Sequence, residues 1–374
     1  MIKSSNTLFV TILSNPWPES HRQPSCCLFP CLLSLAIFTT AILDTTRKNH
    51  HVLHSFFSWL WCITFFTLAI WSVHALITLQ NLSVVDSAPA SLAAPAQTTI
   101  AYGTAAYGIP AQPNVLSLDY ASTIITLTLT VGLCLLGATF LRHRYPNWLG
   151  PVQLISSWAI YPALRVIHQA YPLTEDKLLY TLDLSIWGGR SLPHWAKLLE
   201  TPLLTEILSF CYFTFYLIVL GSAIYFAAKP SLRSRTFFYG LLLIYLFGIL
   251  GYVAIPASGP YIAYPHEFPS PAGGAFITHA LVYIVSLGIT GMDAFPSLHC
   301  AVTLFILGFL ALNGYHKAAL LITPLFIGIT FATVYLRYHY GIDLIAGIAL
   351  ALVVLYYIQQ YQKQFCLITP NASA

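Results

Sequence analysis

The sequence predicts an all-α, polytopic transmembrane helix bundle, and three observations predict it. Only 7% of the 374 residues are charged while 57% are hydrophobic, which leaves too little polar surface for a water-soluble chain of this length. The apolar residues gather in runs at about 28–43, 53–79, 120–141, 151–171, 203–228, 236–256, 295–313, 318–336 and 342–360, and a membrane-crossing helix needs about 20 of them. Basic residues fall at alternate junctions: Arg47 and Lys48, Arg142 and Arg144, Lys229 with Arg233 and Arg235, Lys317, and Lys363. The positive-inside rule assigns those junctions to the cytoplasm. Segments 80–119, 172–202, 257–294 and 337–341 then face the other way, and the first and third of these carry no Lys or Arg at all.

Taken in order, residues 1–80 read as an N-terminal membrane-anchoring region of one or two helices. No cleavable signal is evident, because the apolar stretch Thr7–Ser14 is short and is followed by Pro16 and Pro18. Residues 81–118 are rich in Ala, Pro, Ser and Thr and bury too little to fold alone, so they read as a flexible linker. Asn81-Leu82-Ser83 within it is a glycosylation sequon. Residues 119–149 supply an additional transmembrane helix, 150–360 a six-helix core, and 361–374 a cytoplasmic tail. Between the first two helices of that core, 174–200 mixes Trp, Lys and Leu as a helix lying in the membrane interface would.

Composition also limits function. A net charge of +4 in short clusters gives no footprint for nucleic acid. The eight cysteines show no metal-type pairing, and Cys62, Cys134, Cys211 and Cys300 read as small buried hydrophobes. Cys26 and Cys27, just ahead of an apolar run, are candidates for acylation. His50, His51, His54 and His74 lack the spacing of a haem or metal site. No metal and no cofactor is expected.

Two motifs carry chemistry. In Pro296-Ser297-Leu298-His299, the spacing predicts Pro296 in the first turn of a helix, whose outward amides attract an anion. Ser297 adds a hydroxyl donor and His299 a titratable one. In the second motif, His339 and Asp343 stand four residues apart at the start of the last helix and are expected to share a face. A carboxylate on one ring nitrogen fixes the tautomer and raises the basicity of the other, which then suits attack on phosphorus. Helix capping and an ordinary interfacial His–Asp bond are the bland alternatives for each motif alone. The chain threading joins them: one helix leaves His299, the next returns, and His339 follows, so both rings are expected at one membrane face.

With these residues in view, the sequence resembles the type-2 phosphatidic-acid phosphatase superfamily, in particular its inositolphosphotransferase-like (inositol phosphorylceramide synthase-like) branch. Pro296–His299 matches the Pro-Ser-x-His motif, and Tyr338-His339-Tyr340-x-x-Asp343 through Ala346-Gly347 matches the final one. Pro256-Ala257-Ser258-Gly259-Pro260-Tyr261 is similar to the Pro-x-x-Gly-Pro loop of that branch. Asp183, the Trp187-Gly188-Gly189 turn and Thr201–Glu206 add context, and the likeness spans roughly 150–360. The resemblance implies His339 as nucleophile, Asp343 as its orienter and His299 as general acid. It also implies a lipid-phosphatase-like core whose substrate, a membrane phospholipid or sphingolipid, meets Ser297, Pro256, Gly259, Pro260 and Tyr261.

One departure bears on charge. Ordinary members of the superfamily carry a Lys and an Arg in the first motif and an Arg six residues before the last His. Here no Lys or Arg lies between Arg235 and Lys317, and position 333 is Thr. Arg337 is the nearby cation, read either as a headgroup ligand or as a snorkelling interface anchor. His266 and His279 are further loop candidates. The missing cations favour the phosphotransferase-like branch. Water as acceptor would make a lipid phosphatase, and an alcohol a transferase. A lipid or ion carrier is the rival of another class, expected to hold its polar groups near the bilayer midplane.

Overall fold

The computed structural model describes residues 148–269 and 273–368. The N-terminal runs, the 81–118 linker with its sequon, the 50–74 histidines, Cys26 and Cys27, and the end of the tail lie outside the described residues. Every regular element described is a helix: α1 Leu149–Ala159, α2 Tyr161–Ala170, α3 Asp176–Ile186, α4 Leu192–Lys197, α5 Pro202–Ala228 and α6 Leu232–Ala254. They are followed by α7 Pro260–Ala263, α8 Phe276–Gly288, α9 Leu298–Leu312, α10 His316–Tyr335 and α11 Gly341–Ile368. Four of these, α5, α6, α10 and the Gly341–Gln364 part of α11, are long and apolar enough to cross a membrane.

The helices begin and end where local chemistry directs. Thr201, Ser231 and Ser297 each stand at an N-cap and accept the backbone N–H three residues on, which pairs a donor that no helical carbonyl can reach. Pro202 follows Thr201 at a position where its missing N–H is harmless. The run predicted as one helix at 151–171 is two, α1 and α2, separated at Ile160. Pro162 explains the break, because it has no N–H to offer the carbonyl four residues back.

Both ends of the bundle are pinned. At one end Ser234 Oγ donates to the Phe226 carbonyl (2.6 Å), and Gln362 bridges Thr236 and Asn313. Lys229 and Arg233 lie over the rings of Tyr225 and Tyr315 at this same end. At the other end Tyr335 at the close of α10 meets Thr205 in the first turn of α5, and Ser297 N–H donates to the Asp343 carbonyl (3.0 Å). The starts of α9 and α11 therefore share the end at which α6 and α10 finish.

Helix α6 is buried on nearly every side, as expected of a helix that is apolar all round. Its contact with α9 depends on three glycines. A Cβ at Gly240, Gly248 or Gly251 would stand 2.1–2.4 Å from Phe305, Leu298 or Pro296 respectively. Small residues let apolar helices approach closely enough for dispersion contacts to accumulate.

The segment 257–294, expected as a loop, contains α7 and α8. Helix α8 has 13 residues, too few to register as a membrane span although its composition is apolar. Its ends are held by charges from other helices. The Glu206 carboxylate of α5 accepts from the N–H groups of Ala275 (2.7 Å), Ile277 (2.7 Å) and Thr278 (3.1 Å), and from the Thr278 hydroxyl. Arg165 of α2 donates to the carbonyls of Ile289 (2.7 Å) and Leu287 (2.8 Å). An acid at the N-terminus and a cation at the C-terminus complement the helix dipole.

Candidate active site

The candidate site is assembled where α9 and α11 begin, with α3 and the Pro256–Tyr261 loop bonded to the segment from Arg337 to Ile342. Its depth follows from α5. The His299 ring sits against Tyr212 (centroids 4.5 Å) and Phe215 (4.4 Å), ten and thirteen residues into a helix that starts at Pro202, or about 15–20 Å along its axis. Helix α5 thus extends past the His299 ring in the direction of its own N-terminus. Ser297, His339 and Asp343 are buried and His299 is half-buried.

Two local expectations change. Helix α9 begins at Leu298 with Ser297 as its N-cap, so Pro296 precedes the helix instead of occupying its first turn. The Ser297 oxygen accepts the Cys300 N–H (3.5 Å), which leaves its own proton to donate elsewhere. Helix α11 begins at Gly341, so His339 lies two residues before it and shares no helical face with Asp343. The pair still meets: His339 Nδ1 is 3.4 Å from Asp343 Oδ2.

That same oxygen accepts the Tyr340 N–H at 2.9 Å, the arrangement by which an acid in the first turn closes a helix start. Asp343 Oδ1 has no hydrogen-bond partner. The His299 and His339 rings stand 5.9 Å apart, centroid to centroid. Gly347 permits this convergence, since a Cβ there would lie 2.4 Å from the Ser297 carbonyl oxygen.

Helix α3 holds the two motif-bearing loops with two buried aspartates one above the other. Asp176 accepts from the N–H groups of Ser258 and Gly259 (2.9 Å each) and from the Tyr340 hydroxyl (3.0 Å). Asp183 accepts from Trp187 Nε1 (3.0 Å), Leu192 N–H (2.8 Å) and Ile342 N–H (2.9 Å). Burial pushes both carboxyls above the usual carboxylate range, and these donors oppose the rise. The outer face of α3 carries an apolar edge, Leu178, Leu182 and Ile186, exposed one helical turn apart beside the exposed polar residues Lys177, Thr181 and Ser185.

The Pro256–Tyr261 loop reaches the nucleophile candidate through its backbone. Gly259 has φ +86°, and a Cβ there would fall 2.3 Å from the Tyr338 carbonyl oxygen. Tyr261 N–H donates to the Arg337 carbonyl (3.1 Å), and its ring packs on Tyr338 (5.1 Å). Pro260 is buried at the start of α7, and Pro256 gives its carbonyl to Glu175 N–H (2.7 Å). Arg337 is buried, with 1% exposure, and Nη2 binds Glu200 at 2.9 Å. It is thus neither a snorkelling residue nor a free cation. His266 and His279 are both exposed.

Sequence reasoning missed three residues. Asp176 carries no motif, and its importance appears only when the loop closes on it. Asp293, half-buried just ahead of Pro296–His299, is held above the ordinary carboxylate range by burial, opposed by the Thr290 hydroxyl and by the nearby His339 ring. Arg165, inside the apolar run at 151–171, holds the end of α8. Among the described residues no group of His, Cys, Asp and Glu is arranged to hold a metal ion.

Residues 178–357, a little under half the chain, match the family model of the PAP2 superfamily. The matched span includes every residue named above in the two histidine motifs and the Pro256–Tyr261 loop. No curated protein and no solved structure gives a significant match. Similarity to this superfamily supports an activity of the lipid phosphatase or phosphotransferase type, on a lipid substrate in a bilayer.

Proposed function

We propose that the protein transfers a phosphoryl or phospho-headgroup unit from a membrane lipid through a phosphohistidine intermediate, as an inositolphosphotransferase-like enzyme that needs no metal. The observation that carries this reading is the 5.9 Å approach of the His299 and His339 rings, with Asp343 behind the latter. Asp343 holds the proton on His339 Nδ1, so Nε2 presents its lone pair to phosphorus. As the N–P bond forms, the P–O bond to the leaving group breaks, and His299 supplies the proton that the departing oxygen takes. In the second half, His299 removes a proton from the acceptor hydroxyl, whose oxygen attacks phosphorus and releases His339. Positioning and charge stabilisation supply most of the acceleration in such a step.

The charge balance favours an alcohol acceptor and a phosphodiester donor. Asp343 and Asp293 stand beside the histidines, and Arg337, in the turn before His339, is already paired with Glu200. A monoanionic diester meets less repulsion there than a dianionic monoester. The substrate headgroup lies against Ser297 and the Pro256, Gly259, Pro260 and Tyr261 loop. With the basic end of the bundle in the cytoplasm, this site opens on the non-cytoplasmic face, in a periplasm or in an ER or Golgi lumen. The exposed apolar edge of α3 then rests in the membrane interface.

The test is turnover by the purified protein in detergent, given phosphatidic acid or phosphatidylinositol, with and without a ceramide or diacylglycerol acceptor. Transfer to the added alcohol is expected, and its loss in His339→Ala and His299→Ala with the fold intact. Free phosphate as the sole product would replace the transferase by a lipid phosphatase. Full activity in both variants would remove the mechanism. Movement of lipid or ion without any bond broken would instead make the protein a carrier.

A further inference from the structure

The residue two places before the nucleophile candidate is Arg337, with φ +65°, the only non-glycine residue at positive φ among the described residues. Side chains rarely adopt this left-handed conformation, because Cβ then crowds the following carbonyl. Its cause is the way α10 ends. Arg337 N–H donates to the Val334 carbonyl (3.0 Å) and Tyr338 N–H to that of Thr333 (2.9 Å). That is the Schellman closure of a helix, and its left-handed position normally holds glycine. The Thr333 carbonyl also accepts the N–H of His339 (3.1 Å). The strained turn and the placement of the His339 backbone are therefore one hydrogen-bonded unit.

We propose that Arg337 is a positioning residue: paired with Glu200, it locks this turn and so sets the direction of His339, rather than holding the substrate phosphate. The proposal rests on the reading of His339 as nucleophile. The guanidinium geometry supports it. Nη2 is taken by Glu200 at 2.9 Å, Nη1 leans on the Tyr335 carbonyl at 3.4 Å, and Nε has no hydrogen-bond partner. The Arg337 carbonyl is engaged as well, by Tyr261 N–H, so the turn ties the Pro256–Tyr261 loop to the His339 motif. Glu200 stands at the junction between α4 and α5. The pair thus anchors α10's end to the α4–α5 junction, and the buried ion pair offsets the strain of a side chain where glycine would be unstrained.

Arg337→Gly and Arg337→Ala separate the two roles, because both remove the cation but only glycine removes the Cβ penalty. Each is made alone and with Glu200→Gln, so that no unpaired buried carboxylate confuses the comparison. The readout is modification of His339 by diethyl pyrocarbonate, followed by mass spectrometry across pH, with and without orthovanadate as a phosphate probe. This needs no turnover, so it stands apart from the transfer assay. The glycine variant is expected to keep both the wild-type pH profile of His339 and its protection by vanadate. The alanine variant is expected to populate the native turn about five- to thirtyfold less, with the profile shifted and the protection weakened. If both variants lose vanadate protection equally while the pH profile stays in place, Arg337 is a phosphate ligand and the proposal is overturned. It is equally overturned if the alanine variant is indistinguishable from wild type. Should the alanine variant fail to fold, loss of vanadate protection in the glycine variant is by itself sufficient to overturn the proposal.

Discussion

Replacing Asp183 tests whether α3 holds the last motif in place. In Asp183→Asn one oxygen survives at the position that serves Trp187 Nε1 (3.0 Å) and Ile342 N–H (2.9 Å). The other becomes an NH2 group facing the Leu192 N–H, now 2.8 Å from its acceptor. One charge-assisted bond is lost and two donors are left opposed, which together destabilise by about 2–4 kcal/mol. Asp183→Ala strands all three donors and loses about 3–9 kcal/mol by the same reasoning, a large share of the ordinary stability of a domain. Thermal unfolding in detergent, followed by tryptophan fluorescence, should place Asp183→Asn roughly 4–16 °C below wild type, at a few degrees per kcal/mol. Because Ile342 is three residues from His339, kcat should fall more than KM rises. A midpoint within a degree of wild type and an unchanged kcat would refute the argument, since it would mean the three donors find water as readily as they find the carboxylate.

Three further outcomes follow from other contacts. Gly259→Ala drives a methyl group to 2.3 Å from the Tyr338 carbonyl at φ +86°, so it should lose several kcal/mol by crowding and backbone strain, roughly 2–4, and most of its activity. A fully active, equally stable variant would show that the loop does not rest on Tyr338. Gly347→Ala pushes α11 away from Ser297, where Cβ would come within 2.4 Å of a backbone oxygen. Its kcat should fall at least tenfold while lipid binding, measured by equilibrium partition, changes little. Glu206→Gln combined with Arg165→Ala removes the charge at each end of α8, and hydrogen exchange by mass spectrometry should then show faster exchange confined to 275–289. Unchanged protection there would mean packing on α5 alone holds the helix.

How much was legible depends on whether a signal is local. The runs behind α5, α6, α10 and α11 were plain because a bilayer demands about 20 apolar residues in succession, and the structure matches them within a few residues. Pro162 was visible too, but whether it would break or merely kink the run at 151–171 depends on what packs beside it. Helix α8 was missed because 13 residues are too few to span and its defining partners, Glu206 and Arg165, lie 69 and 124 residues away from the atoms they bind. His299, His339, Asp343 and Ser297 were singled out by motif. Asp176, equally buried, has no neighbours in sequence that announce it.

By itself the sequence determined the class of protein, the four long helices, and a threading that returns two histidines to one end. Those are consequences of composition and chain length, which act on every segment separately. Tertiary structure decided the rest: that α3 turns its aspartates inward onto the motif-bearing loops, and that Arg337 faces Glu200. Each of these depends on a hydrogen-bond partner dozens of residues distant, so which partner a buried donor or carboxylate finds is fixed only when the helices close.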